Sequence, residues 1–162
     1  MEMDPVLHLR YLAWANNLIL DAVQQLPAAE YEKDRASSHG GIKGTIEHMY
    51  RADMVWFSRV AGEPFANIAD VPVPDSFRDL RHEWLILHER WQKWIAQLSS
   101  SQFGIEIRYT NSLGVAYSTP IWQVLLHLAS HSTYHRGQIV TMLRQAGVKP
   151  PGTDLIMFYR SL

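Results

Sequence analysis

The chain has 162 residues, of which 47% are hydrophobic and 19% charged, and its formal net charge is −1 at pH 7. This length suits a single domain over residues 1–162 with a sizeable core. The balanced charge, without a run of Lys or Arg, gives no basis for a nucleic-acid or membrane partner, and we expect neither. Cysteine is absent, which excludes disulfides, thiolate metal ligands and a cysteine nucleophile. Without a signal-peptide pattern or an apolar run of roughly 20 residues, we expect a cytoplasmic protein.

The first part of the chain predicts two amphipathic helices, because apolar residues recur there three and four positions apart. The first helix begins at Asp4, an N-cap acid followed by Pro5. It ends before a polar connection over residues 27–41, in which we expect His39 to be solvated. The second helix runs from about residue 43 to residue 61, where glycine and proline follow.

The second part of the chain predicts two further helices with a short β-hairpin before the last one. The third helix is capped by Asp75 or Ser76. It carries a regular apolar seam, formed by Phe77, Leu80, Trp84, Leu87, Trp91, Trp94 and Leu98. Alternating residues over 105–109 and 115–117 indicate the hairpin. The fourth helix should start with Thr119 as its N-cap and continue to Gln145. Four amphipathic helices predict an all-α, four-helix-bundle fold.

One residue in the interior of the fourth helix, Gly137, has a low helix propensity. Gly137 costs roughly 1 kcal/mol relative to alanine in a helix interior. This cost predicts that another group approaches the backbone closely at that position.

The fourth helix also carries the most informative residues, His127, His131 and His135, spaced four apart. Each lies one turn above the last on nearly the same face. The outer two are about 12 Å apart along the axis, whereas metal–nitrogen bonds are about 2 Å long, so only a pair can share one ion. His131 and His135 lie within the apolar stripe and His127 lies at its edge. A shared metal, or ordinary hydrogen bonds of core histidines, would each satisfy this pair.

A further ligand must come from another helix, and His48 of the second helix is the leading candidate. It borders the apolar face of its helix, beside the small residues Thr45 and Ala52, which leave an imidazole room to point inward. Considered alone, such a histidine is more typical of a hydrogen-bonded packing residue than of a ligand.

The segment over residues 131–138 resembles the H-x-x-x-H-R-G-Q signature of the DinB/YfiT-like superfamily of proposed metalloenzymes. The similarity covers nearly the whole chain and includes residues 44–48 with Trp56 and Gly62, Asn111 with Gly114, and residues 147–154. The resemblance implies an up-down-down-up bundle and, in many members, a homodimer. It also implies one divalent metal ion, Zn, Ni or Mn, held by His48, His131 and His135.

Other polar residues near the signature are candidates for supporting roles. His127 is the candidate catalytic residue, because it could relay a proton or orient a ligand one turn from His131. Tyr134 and Arg136 are also candidates, but a packing tyrosine and a surface or interhelical ion-paired arginine are at least equally expected. The remaining candidates are Gln138, within the signature, and His88, which borders the seam of the third helix.

Three protein nitrogens on a divalent ion leave at least one position open, as in catalytic sites. Characterised members of the family that this chain resembles include thiol-dependent S-transferases and isomerases that use low-molecular-weight thiols. The expected function is therefore a metal-dependent enzyme with a small-molecule substrate, either a thiol-dependent S-transferase or isomerase, or a hydrolase. Without cysteine, any thiol must be a cosubstrate. The alternatives are a non-catalytic metal-binding or stress-response protein, and a structural bundle with hydrogen-bonded histidines.

Overall fold

The computed structural model describes residues 4–62, 67–111 and 113–162. Its helices and strands are, in chain order, α1 (Pro5–Val23), α2 (Ala28–Glu32), β1 (Asp34–Ser37), β2 (Gly40–Gly41), α3 (Ile42–Ala61), α4 (Phe77–Ile95), β3 (Glu106–Thr110), β4 (Ala116–Pro120), α5 (Ile121–Gln145) and α6 (Leu155–Tyr159). The long helices α1, α3, α4 and α5 form the bundle. The predicted all-α four-helix-bundle fold, with a hairpin before the last helix, is confirmed.

Local chemistry explains where the helices begin and end. The Asp4 carboxylate accepts hydrogen bonds from the backbone N–H groups of Val6 and Leu7, and the Ser76 hydroxyl accepts one from Asp79. These caps satisfy N–H groups that have no partner within the first turn. At the other end of α3, Gly62 adopts a φ of 78°, a left-handed conformation that favours glycine.

The last helix starts one residue later than expected, with Pro120 and not Thr119 at the N-cap. Thr119 lies in β4, where its side chain lies 3.3 Å from the hydroxyl of Tyr109, and the helix begins only at Ile121. The hairpin pairs β3 with β4 in antiparallel register, with Arg108 opposite Ser118. Pairing with β3 therefore takes precedence over the capping tendency of threonine.

Contacts between the helices define their directions. Tyr50 packs on Trp84 and Phe57 on Trp91, so α3 and α4 are parallel. In contrast, α3 and α5 are antiparallel, because the His48 ring lies 4.7 Å from the His135 ring and the Trp56 ring lies 5.3 Å from the His127 ring.

The first helix runs in the same direction as α5. Leu12 and Leu128 line one small void in the core, and Leu20 and Ile139 line the next one along the bundle. Asp21 near the end of α1 pairs with Arg81 near the start of α4, so these two helices are antiparallel. The arrangement is therefore up-down-down-up.

A buried carboxylate joins α3 to α4. Asp53 is 3% exposed and accepts hydrogen bonds of 2.8 Å from the indole N–H groups of both Trp84 and Trp91. Burying a carboxylate is costly unless donors surround it. The tryptophan seam predicted from the sequence thus packs the core and also satisfies this acid, which the sequence pattern did not identify.

The expectation for Gly137 was wrong. A Cβ atom at this position would meet no atom within 4 Å. Gly137 instead lines a surface groove of about 680 Å³ between α5, α1 and the segment before α6. Within the described part of the chain, no helix combines the length and apolar character needed to cross a bilayer.

Candidate metal centre

Three imidazoles from two antiparallel helices converge on one point. The Nε2 atom of His131 lies 3.1 Å from Nε2 of His48 and 3.1 Å from Nε2 of His135. His48 comes from the second turn of α3, and the other two come from successive turns of α5. The structure therefore brings together all three residues that the sequence suggested as ligands.

Hydrogen bonds alone do not satisfy this cluster. A neutral imidazole nitrogen either carries one proton to donate or presents one lone pair to accept. One proton or one lone pair serves one well-directed hydrogen bond, so His131 Nε2 cannot satisfy both of its contacts at 3.1 Å in this way. Two nitrogens about 2 Å from one ion lie roughly 3–3.5 Å apart. The donor set and its spacing therefore fit a single divalent cation.

The signature glutamine fixes the tautomer of one of the three candidate ligands. His135 is buried, and its Nδ1 atom lies 2.8 Å from Oε1 of Gln138. An amide oxygen only accepts, so Nδ1 carries the proton and donates it to Gln138. The lone pair of Nε2 then faces His131. Such an outer hydrogen bond is the usual support of a metal-ligating histidine.

The other two histidines are held in the neutral form that metal ligation requires. Burial, together with neighbouring histidines, lowers the pKa of His48 to about 4. The pKa of His131 is also lowered to about 4, first by burial and then by His135 and His48. Near neutral pH both rings are therefore uncharged, and no protons have to be removed before a cation binds.

A fourth histidine joins the cluster, although the sequence indicated a solvated loop residue. The ring of His39 stacks on that of His48, with centroids 4.0 Å apart and planes 15° apart, and it meets the His135 ring edge-on. The ligand nitrogens of these three residues all lie within 4.8 Å of one another. His39 stays partly exposed, as expected, but it also joins the cluster, because the connection before α3 folds back as the pair of strands β1 and β2.

His127 lies at the solvent-facing edge of the cluster. Its ring is 5.6 Å from that of His131 and packs edge-on against Trp56. Burial lowers the pKa of His127, and the nearby Arg59 lowers it further. The guanidinium of Arg59 lies over the rings of both Trp56 and Tyr109. An uncharged imidazole at this edge can accept a proton.

His88 does not lie at the site. It is buried, and its Nε2 atom is 3.5 Å from the Asp53 carboxylate. Asp53 in turn lines a small void together with His131. Within the described residues, the connection of His88 to the cluster is therefore indirect. His88 contacts Asp53 between α3 and α4, and Asp53 shares a void with His131.

Two further expectations for the signature segment were wrong. Arg136 is neither on the surface nor ion-paired, because it is 1% exposed and, within the described residues, donates only to neutral oxygens, those of Tyr11, Asn16, Ser132 and Thr133. It binds α5 to α1. Tyr134 is 65% exposed and does not pack in the core, although its ring meets that of His135 edge-on.

Comparison with known proteins agrees with this architecture. The model of the DinB family matches residues 1–161. The protein named Protein DinB of Bacillus subtilis (strain 168) is 26% identical over 151 residues, which cover 89% of this chain and 87% of that protein. The crystal structure of a DinB-like protein from Bacillus cereus ATCC 10987 has the same fold, with a TM-score of 0.59 at 16% identity over 90% of this chain and 94% of the other. The chain belongs to the DinB family.

Proposed function

We propose that this protein is a metal-dependent enzyme whose single divalent ion is held by His48, His131 and His135. The observation that carries the proposal is the convergence of three Nε2 atoms, with 3.1 Å between His131 and each of the other two. Three nitrogen ligands leave coordination positions open, which is the arrangement of catalytic and not of structural metal sites. Zn, Ni and Mn all suit such a site, because the metal in a histidine site depends on geometry and supply.

The ion would supply Lewis acidity toward a small nucleophile or a polarised substrate oxygen. The residues of the chain supply the rest of the chemistry. Gln138 orients His135, and His127, uncharged at the edge of the cluster, accepts a proton from the incoming nucleophile. A thiol nucleophile has to come from outside the protein, because the chain contains no cysteine. The proposed reaction is therefore transfer of a low-molecular-weight thiol to a small electrophile, or hydrolysis by water.

The first experiment is to measure the metal content of untagged protein purified without chelator or nickel resin. We expect about one ion per chain in the wild type and loss of the ion in His48→Ala and in His131→Ala. His82→Ala is the matched control, because His82 is exposed on α4. Wild-type levels in the control would show that loss is specific to the cluster.

Metal-loaded protein is then screened with electrophiles, with and without an added thiol. Turnover that requires the thiol identifies a transferase, and turnover in water alone identifies a hydrolase. A chain that takes up neither Zn, Ni nor Mn would overturn the proposal and leave a bundle with core histidines. A tightly held ion without exchangeable positions would instead indicate a non-catalytic metal-binding protein.

A further inference from the structure

The position of His39 relative to the three converging histidines points to a role at the same site. His39 lies on the turn between β1 and β2, is partly exposed, and stacks on the ring of His48. In the described part of the chain its ring nitrogens form no hydrogen bond. An imidazole with free nitrogens over a cluster of nitrogen donors is available as a ligand.

The turn that carries His39 is built to lie against α3. A Cβ atom on Gly44 would be 2.0 Å from the backbone oxygen of His39, so only glycine permits this close approach. Gly40 supports the turn with a φ of 80°. Gln138, which binds His135, also reaches the neighbouring Ser38 with its amide nitrogen 3.5 Å from the hydroxyl. The backbone of the turn is therefore held beside the histidine cluster from two sides.

The ring of His39 is close to a ligating position but not in it. Its ligand nitrogen lies within 4.8 Å of those of His48 and His135. Ligands of one ion lie roughly 3–3.5 Å apart, so the ring must approach by at most about 1.5 Å. In contrast, both contacts of His131, with His48 and with His135, already have the separation that a shared ion requires. Three donors are therefore already in place for one ion, whereas His39 has to move to join them.

We infer that His39 is an exchangeable fourth ligand, which closes the coordination of the ion from the solvent side and is displaced by an incoming anionic donor such as a thiolate. This inference rests on the proposed function. Because the turn backbone is fixed by Gly44, closing and opening require movement of the His39 side chain alone. The His39 ring then also excludes water from the ion until the donor arrives.

The test uses full-length protein loaded with Co²⁺, whose visible absorption reports its ligands, and azide as the anionic probe. His39→Ala should keep about one ion per chain but change the spectrum. It should bind azide about tenfold more tightly, because an occupied position lowers the apparent affinity in proportion to its occupancy. Added imidazole should restore the wild-type spectrum. His39→Gln, which retains a polar side chain on the turn, should also change the spectrum and bind azide more tightly. His82→Ala should behave as the wild type does.

The outcomes separate this inference from the proposed function. An unchanged spectrum and azide affinity in His39→Ala, with the ion still lost in His48→Ala and His131→Ala, would overturn the role of His39 and leave the three-histidine site intact. Complete loss of Co²⁺ in His39→Ala would make His39 a permanent ligand and overturn its exchange. If the wild type bound neither Co²⁺ nor any of Zn, Ni and Mn, both proposals would fall.

Discussion

At the scale of single residues, the signature segment divides its work between the site and the packing of the bundle. His131 and His135 face the cluster, Gln138 orients His135, and Arg136 faces the opposite side, toward α1. The Arg136 guanidinium donates to the Tyr11 hydroxyl, which itself donates to the carbonyl of Thr153. One arginine therefore links α5 and α1 to the segment before α6, and burial lowers its pKa.

The network predicts that Arg136→Lys destabilises the protein although it keeps the charge. Lysine lacks the planar fork that reaches several oxygens at once, and acceptors left without donors in the interior cost about 1–3 kcal/mol. We expect the free energy of unfolding to fall by about 2 kcal/mol, measured from urea denaturation with an unchanged m-value.

The matched control is Arg144→Lys, an exposed arginine on the same helix. Its effect should stay within about 0.5 kcal/mol. Equal effects of the two substitutions would show that the buried network contributes nothing specific.

At the scale of the elements, two glycines show opposite constraints. Gly44, in the first turn of α3, lies against the His39 carbonyl, whereas Gly137, in the middle of α5, faces open space. The first allows the connection before α3 to lie over the cluster. The second has no steric reason to be glycine within the described structure.

These surroundings predict opposite effects of the same substitution. Gly44→Ala should lower the free energy of unfolding by about 1–3 kcal/mol, because the new methyl group forces the turn away from α3. Gly137→Ala should raise it by roughly 0.5–1 kcal/mol, because alanine favours the helix interior. Chemical denaturation of both variants checks the signs. A neutral Gly44→Ala would contradict the close approach of the His39 backbone.

At the scale of the whole molecule, the proposed ion connects helices that are far apart in sequence. The histidines lie on α3 and α5, with all of α4 and the hairpin between them in the chain. Binding of an ion to the folded state alone would therefore stabilise the assembled bundle.

Saturation with metal should raise the thermal midpoint. At a free ion concentration 100 times the Kd, the gain is about 2.7 kcal/mol, or about 5–10 °C for a domain of this size. Thermal unfolding of chelator-treated protein with and without added Zn²⁺ measures it. His48→Gln should abolish the rise while His82→Ala retains it. A midpoint that does not respond to any divalent ion would contradict the metal centre.

Local sequence patterns determined the helices of this protein and pointed to the three histidines that the structure brings together. Apolar periodicity and the Asp4 and Ser76 caps located the long helices, because these signals act within a few turns of chain. The four-residue spacing of His131 and His135 placed both rings on one face of α5. His48 could be suggested because it borders the apolar face of its own helix.

Only the tertiary structure decided which groups meet from distant segments. Asp53 receives two indole donors from α4, Arg136 binds α1, and His39 stacks on His48 because its turn folds back onto Gly44. Each of these contacts joins segments whose own periodicity contains no information about the partner. They depend on how the helices and the connection before α3 pack, which a single-helix pattern does not determine.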